Sequence, residues 1–210
     1  MLLELIFPPK CPYCRKVIRY DMTECLACRA GYPLDPRIEI TPKGDICIAP
    51  FTYENQFARA LKDYKFSGRT FNSKSFAAAI VSAIRKTYHK DMDFDIVTCV
   101  PMTKSRLRKR GFNQAAIIGK RVALISDKPY SELLIRTVDS EHQHYLGREE
   151  RIKHNKKYYS CISPENVKGK KILLIDDIMT SGATLSSCSE VLRDNGADRV
   201  LCAVTAIVKK

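Results

Sequence analysis

The stretch Lys171–Leu185 constrains this chain more than any other. Four apolar residues, Ile172-Leu173-Leu174-Ile175, run into two carboxylates, Asp176 and Asp177, and then into the small, hydroxyl-rich sequence Thr180-Ser181-Gly182-Ala183-Thr184. The pattern predicts a buried strand over Lys171–Ile175, a turn, and a helix over Gly182–Asn195 ended by Asn195-Gly196. In parallel α/β sheets ligands sit at the carboxyl ends of strands. The free N–H groups of a helix start form an anion site there, helped by the helix dipole. Residues as small as those at 180–184 let a phosphate reach the backbone, and Thr180, Ser181 and Thr184 add hydroxyl donors. The paired carboxylates have no role in holding phosphate; they suit ribose hydroxyls, which donate to carboxylate oxygens. A nucleotide-hydrolysing strand also reads as apolar residues followed by Asp-Asp, but it needs a G-x-x-x-x-G-K-[ST] partner. Gly111 to Gly119-Lys120 has the wrong spacing and is followed by Arg121. A plain strand–turn–helix needs one capping hydroxyl and no carboxylate pair.

The rest of the chain alternates strand and helix signals. Strands are expected at Ile46–Tyr53, Asp95–Val100, Glu132–Val138, Tyr158–Ile162 and Arg199–Val208. Helices are expected at Glu54–Phe66, Asn72–His89 (with Asn72 or Ser73 as N-cap) and Phe112–Ile125. This order implies an α/β fold with a mainly parallel sheet flanked by helices. Leu34–Gly44, with two prolines and a glycine, reads as a linker.

At the N-terminus, Cys11-x2-Cys14 and Cys25-x2-Cys28 frame ten residues. That stretch is too short for a core of its own, and the spacing is that of a four-cysteine structural zinc site. Disulfides and free thiols are the alternatives. The other five cysteines, Cys47, Cys99, Cys161, Cys188 and Cys202, sit singly, mostly in apolar runs, which fits reduced thiols. Arg15, Lys16, Arg19 and Arg29 decorate the module, suiting nucleic acid or a protein partner equally. Met1–Pro9 lacks the features of a signal peptide. No run of about 18 apolar residues predicts a membrane span. The expectation is a cytoplasmic protein that meets a membrane, if at all, peripherally.

The 210 residues carry a net charge of +13, which favours polyanionic partners. Lys104, Arg106, Arg108, Lys109 and Arg110 place five cations in seven residues; the expected form is a basic loop. Its uses are a diphosphate or a nucleic-acid backbone, and a solvated loop is the plain alternative. Arg59, Lys62, Lys65, Arg69, Lys74, Arg85 and Lys86 face only Asp63 between residues 57 and 89. Phe51, Tyr53, Tyr64 and Phe66 are interleaved nearby, either as base-stacking platforms or, for each taken alone, as core.

The run Asp176–Thr184 resembles the phosphoribosyl pyrophosphate (PRPP) motif of type I phosphoribosyltransferases. The paired C-x-x-C sequences resemble the ComF family of competence-related phosphoribosyltransferase-like proteins. So do Leu61-Lys62 with Lys65-Phe66-Ser67-Gly68, and Val100-Pro101-Met102 leading to Arg106 and Arg110-Gly111-Phe112-Asn113-Gln114. Gln143-x-x-Leu146 with Glu150-Arg151 and Asn155 completes the resemblance. Two positions depart from the family pattern: Met102 stands where Leu is usual, and Glu141–His144 replaces a Pro-rich form.

The resemblance implies ribose hydroxyls on Asp176 and Asp177 and a 5′-phosphate on Thr180, Ser181, Gly182, Ala183 and Thr184. It places pyrophosphate near Met102, Thr103, Lys104, Arg106 and Arg110, with Mg2+ accompanying PRPP, and zinc on Cys11, Cys14, Cys25 and Cys28. It implies two domains, a four-cysteine module with linker over 1–45 and a phosphoribosyltransferase-like domain over 46–210. Asp139–Lys157, which contains His142, His144, Arg148 and His154, falls where such enzymes carry a loop that closes over substrate. The function implied is PRPP binding together with single-stranded DNA binding in natural transformation. Lys62, Lys65, Arg69, Arg108 and Lys109 are the candidate DNA contacts. Two alternatives stand beside it. One is catalysed phosphoribosyl transfer to a nitrogenous acceptor. The other is a PRPP-sensing scaffold whose zinc module docks a partner such as an uptake helicase at the inner membrane.

Overall fold

The computed structural model describes residues 8–88, 93–137 and 158–209; the loop expectation at Asp139–Lys157, its histidines and the Gln143 motif lie outside them. Among the described residues there are eight strands: β1 (Arg37–Ile40), β2 (Ile46–Ala49), β3 (Phe51–Thr52), β4 (Ile96–Cys99), β5 (Leu134–Arg136), β6 (Tyr159–Cys161), β7 (Lys171–Met179) and β8 (Arg199–Ile207). The helices are α1 (Leu26–Ala30), α2 (Asn55–Phe66), α3 (Asn72–Tyr88), α4 (Lys104–Arg110), α5 (Gln114–Ser126) and α6 (Ala183–Asp194).

The main sheet runs β1-β2-β8-β7-β4, with β3 also on β8. Only β1 is antiparallel to its neighbour. A parallel sheet must be covered on both faces, and the alternation along the central strands does this. Leu173, Ile175, Leu201 and Ala203 pack with α2, α3 and α5, whereas Ile172, Leu174, Val200 and Cys202 pack with Leu185, Cys188 and Leu192 of α6. β5 and β6 pair separately as an antiparallel ribbon.

Four details differ from the sequence reading. The expected linker contains β1, whose pairing with β2 is pinned by buried Asp45. That carboxylate accepts from Thr41 Oγ1 at 2.9 Å and Ser189 Oγ at 2.6 Å and pairs with Arg193. The expected basic loop is α4: Thr103 Oγ1 accepts from the Arg106 N–H at 3.2 Å, and Gly111, at φ 79°, ends the helix. Its Arg, Lys and Leu content favours helix but has too few apolar residues to show a period. Neither Asn72 nor Ser73 caps α3; Asn72 Nδ2 donates to the Ala60 carbonyl and Ser73 Oγ to that of Thr70. β7 continues past Ile175 to Met179 because β8 keeps pairing with it.

The cysteine module is fused to the main core. Tyr13 is fully buried among Phe51, Phe57, Phe76 and Tyr32, and its hydroxyl lies 2.8 Å from Ser75 Oγ. Arg15 grips Asp63 of α2 through two hydrogen bonds of 3.0 and 2.8 Å.

Candidate functional site: a cationic cleft over an acidic strand end

β7 has two neighbours as far as Ile175, where pairing with β4 stops, and only β8 beyond it. The sheet opens on one side where Asp176 and Asp177 occur, so two carboxylates fit on a central strand. A cleft of about 210 Å³ lies over them. Its walls come from sequence-distant elements: Lys65 of α2, Val100–Thr103 after β4, Arg106 and Arg110 of α4, Gln114 at the start of α5, Arg136 of β5, Tyr159 of β6 and Thr184 of α6. A smaller adjoining hollow is lined by Asp176 and residues 178–185.

The two carboxylates differ electrostatically. Burial, reinforced by the charge of Asp177, pushes the Asp176 carboxyl up to about 8. The Asp177 N–H donating to Asp176 Oδ1 at 2.8 Å and the nearby Lys65 offset this only in part. Asp177 forms an ion pair with Lys65 at 2.9 Å, the two side chains being 14% and 19% exposed. The phosphate-loop candidates follow directly. Thr180 and Ser181 are exposed, and Gly182 takes φ 75° just before α6. A Cβ on Gly182 would lie 2.9 Å from Met179 Cε and 3.0 Å from Pro42 Cδ, so glycine is required there on two grounds.

Of the basic-loop candidates, Met102, Thr103, Arg106 and Arg110 line the cleft and Lys104 does not. Arg106 and Arg110 share one helix face at i, i+4; Arg108 and Lys109 are exposed elsewhere on α4. Lys65, expected among the DNA contacts, is inside the cleft. Lys62 is exposed, and Arg69 sits 3.5 Å from Asp63. Several other cations near α2 and α3 are engaged locally: Arg59 donates to the Tyr13 carbonyl and Lys86 to that of Leu34. Phe51 and Tyr64 are fully buried, while Phe66 is 73% exposed with the Arg110 guanidinium 5.4 Å from its ring centre.

Arg136, Tyr159 and Gln114 are among the cleft residues that the sequence did not assign to a site. Arg136 and Tyr159 are paired across β5 and β6, with the guanidinium 5.5 Å from the ring centre; no local pattern joins residues so far apart. Gln114 had a signal, since it closes the motif Gly111–Gln114, but its placement depends on the turn out of α4.

The second candidate site is the cysteine cluster. The Sγ atoms of Cys11, Cys14, Cys25 and Cys28 all lie within 4.8 Å of one another, with Cys14 and Cys25 at 3.6 Å. Zinc–sulfur bonds of about 2.3 Å in a tetrahedron put sulfurs about 3.8 Å apart, so the cluster is compatible with zinc. Chiefly through the Lys16 backbone N–H, the Cys14 thiol is lowered to about 7, close to the thiolate a metal needs. Burial pushes the Cys11 and Cys28 thiols up, a cost that a bound cation removes. No helix among the described residues is long and apolar enough to cross a membrane.

Comparison with known proteins agrees with this layout. The phosphoribosyl transferase domain family matches residues 108–210. Competence protein ComFC of Bacillus subtilis is 30% identical over 160 residues, covering 75% of this chain and 62% of that protein; the chain therefore spans less than two thirds of that relative. Competence protein F of Haemophilus influenzae is 22% identical over 196 residues, covering 91% of this chain and 82% of that protein. DNA utilization protein YhgH of Escherichia coli is 24% identical over 199 residues, covering 90% and 86%. A four-cysteine cluster precedes the region that matches the phosphoribosyl transferase domain family, and the competence proteins match across most of the chain: the chain is similar to the ComF-type competence proteins.

Proposed function

We propose that the protein binds PRPP in the cleft over Asp176 and Asp177 and acts, as a PRPP-binding phosphoribosyltransferase-like protein, in the handling of incoming single-stranded DNA during natural transformation. The observation that carries the first part is the convergence of a carboxylate pair, a glycine-dependent loop at the start of α6 and the arginines of α4 on one cleft. In this reading Asp176 and Asp177 accept from the ribose hydroxyls. The 5′-phosphate takes N–H and hydroxyl donors from Thr180–Thr184. Arg106 and Arg110 stand by the diphosphate, on which Mg2+ supplies charge neutralisation when bound. Zinc held by the four cysteines keeps the cysteine module folded against the phosphoribosyltransferase-like domain.

The DNA part is supported by relatives named for competence and DNA utilization. It is also supported by the exposed Phe66 beside Arg110, with Lys62, Arg69, Arg108 and Lys109 exposed as well. An exposed ring flanked by cations is the physical form of a stacking platform. A protein working this way is cytoplasmic, with any inner-membrane or helicase contact peripheral.

Thermal melting tests the core of the reading. PRPP with Mg2+ raises the melting temperature of the wild type by linkage and leaves that of Asp176→Asn/Asp177→Asn unchanged. An equal rise in both proteins contradicts it.

A further inference from the structure

Two features of the cleft are not explained by a sugar phosphate alone. The first is Gln114, which is 1% exposed. Its Oε1 accepts from Arg110 Nη1 at 3.3 Å. Because a guanidinium only donates, this contact settles which end of the amide is oxygen. Gln114 Nε2 is then a buried donor with no partner among the described residues, on a side chain that lines the cleft. A buried donor without an acceptor is costly, so one retained at a cleft wall suits an acceptor that arrives with a ligand. The second feature is the Lys65–Asp177 pair. Lys65 Nζ meets Asp177 Oδ2, so a hydroxyl that is to donate to that oxygen shares it with an ammonium.

We infer that Lys65 and Gln114 together read an anionic phosphoryl substituent on the C1 side of the bound sugar, and that Lys65 exchanges Asp177 for that substituent when it is present. The inference rests on the reading of the cleft as a PRPP site and adds a selection rule to it. Lys65 is suited to exchange because its charge is compact, with three donors on a flexible stem. Arg106 and Arg110 line the same cleft and add positive charge, so a multiply charged anion is stabilised where a single hydroxyl is not. With the substituent bound, Asp177 Oδ2 is released to the sugar; without it, that oxygen stays paired with Lys65. The sugar half and the anionic half of the ligand thereby favour each other's binding, a coupling between two parts of one cleft.

Calorimetric titration of Mg2+-PRPP and Mg2+-ribose 5-phosphate against wild type, Lys65→Met and Gln114→Met tests this. Lys65→Met weakens PRPP about tenfold and tightens ribose 5-phosphate about threefold, because the competing ammonium is gone. Gln114→Met weakens PRPP and leaves ribose 5-phosphate unchanged. Lys65→Arg keeps most of the PRPP affinity. A merely structural role for Lys65 moves both ligands in the same direction, so parallel losses overturn the inference, as do unchanged affinities in both variants. Wild type binding neither ligand removes the PRPP reading itself, and this inference with it. Melting curves identify any variant that fails to fold, and Lys65→Gln then carries the same comparison.

Discussion

Lys65 Nζ lies 2.9 Å from Asp177 Oδ2 and so joins α2 to the acidic end of β7. Two residues earlier on α2, Asp63 is held by Arg15, which follows the cluster cysteine Cys14. One helix therefore touches both the cleft and the cysteine module.

Metal removal from the cluster loosens α2 and the core behind it. A zinc chelator, or Cys11→Ser, lowers the melting temperature of the whole protein and weakens PRPP binding. Tyr13→Ala, which empties a fully buried site beside Cys14, costs about 3–5 kcal/mol in a urea titration. A separate, low-temperature transition for the module with an unchanged main transition contradicts the shared core.

Asp176 sets a pH dependence. Burial first, and then the Asp177 charge, raises its carboxyl to about 8. The folded state thus binds a proton that the unfolded chain has lost above about 4. Between these values the native state holds more protons, so stability falls as pH rises and levels off above about 8. Asp176→Asn, which carries no charge, is more stable than wild type by on the order of 1–3 kcal/mol at pH 9, with the difference vanishing near pH 4. Because ribose hydroxyls donate to the ionised form, PRPP binding strengthens from pH 6 to pH 9 and releases a proton near pH 7. Calorimetry in buffers of different ionisation enthalpy measures that release.

Gly182→Ala meets both a positive φ and the side chains of Met179 and Pro42. It destabilises the fold by about 1–3 kcal/mol and removes PRPP binding, because the loop cannot close around a phosphate. Equilibrium unfolding and titration of the same sample separate the two effects.

Single-stranded DNA binding, if carried by Phe66 and the outer face of α4, weakens steeply with salt, by a log–log slope of about −0.7 per phosphate engaged. Arg108→Glu/Lys109→Glu makes that slope shallower, and Phe66→Ala weakens binding by about 1–3 kcal/mol without changing it. Fluorescence anisotropy over a salt series reads both. An affinity independent of salt contradicts an electrostatic footprint.

The strand and helix flanking Asp176–Thr184 were legible because both faces of β7 are buried and its apolar run is continuous; periodicity and loop chemistry then agree. Most helix spans were legible to within two residues for the same reason. β1 was not, since its exposed Arg37 and Ile38 resemble a linker and its place depends on pairing with β2 and on Asp45, held by Thr41 and by the distant Ser189 and Arg193. α4 was hidden by its charge, with Leu107 its only apolar residue. In the candidate site, contiguous residues were readable and convergent ones were not. The position of Lys65 follows from a contact spanning more than a hundred residues, and Arg136 meets Tyr159 only through strand pairing.

The measurement that bears most directly on the account is titration calorimetry of the zinc-loaded protein with PRPP and Mg2+, beside Asp176→Asn/Asp177→Asn. The account predicts saturable one-to-one binding by wild type and none by the double variant. Absence of binding by folded wild type, or undiminished binding by the variant, contradicts it.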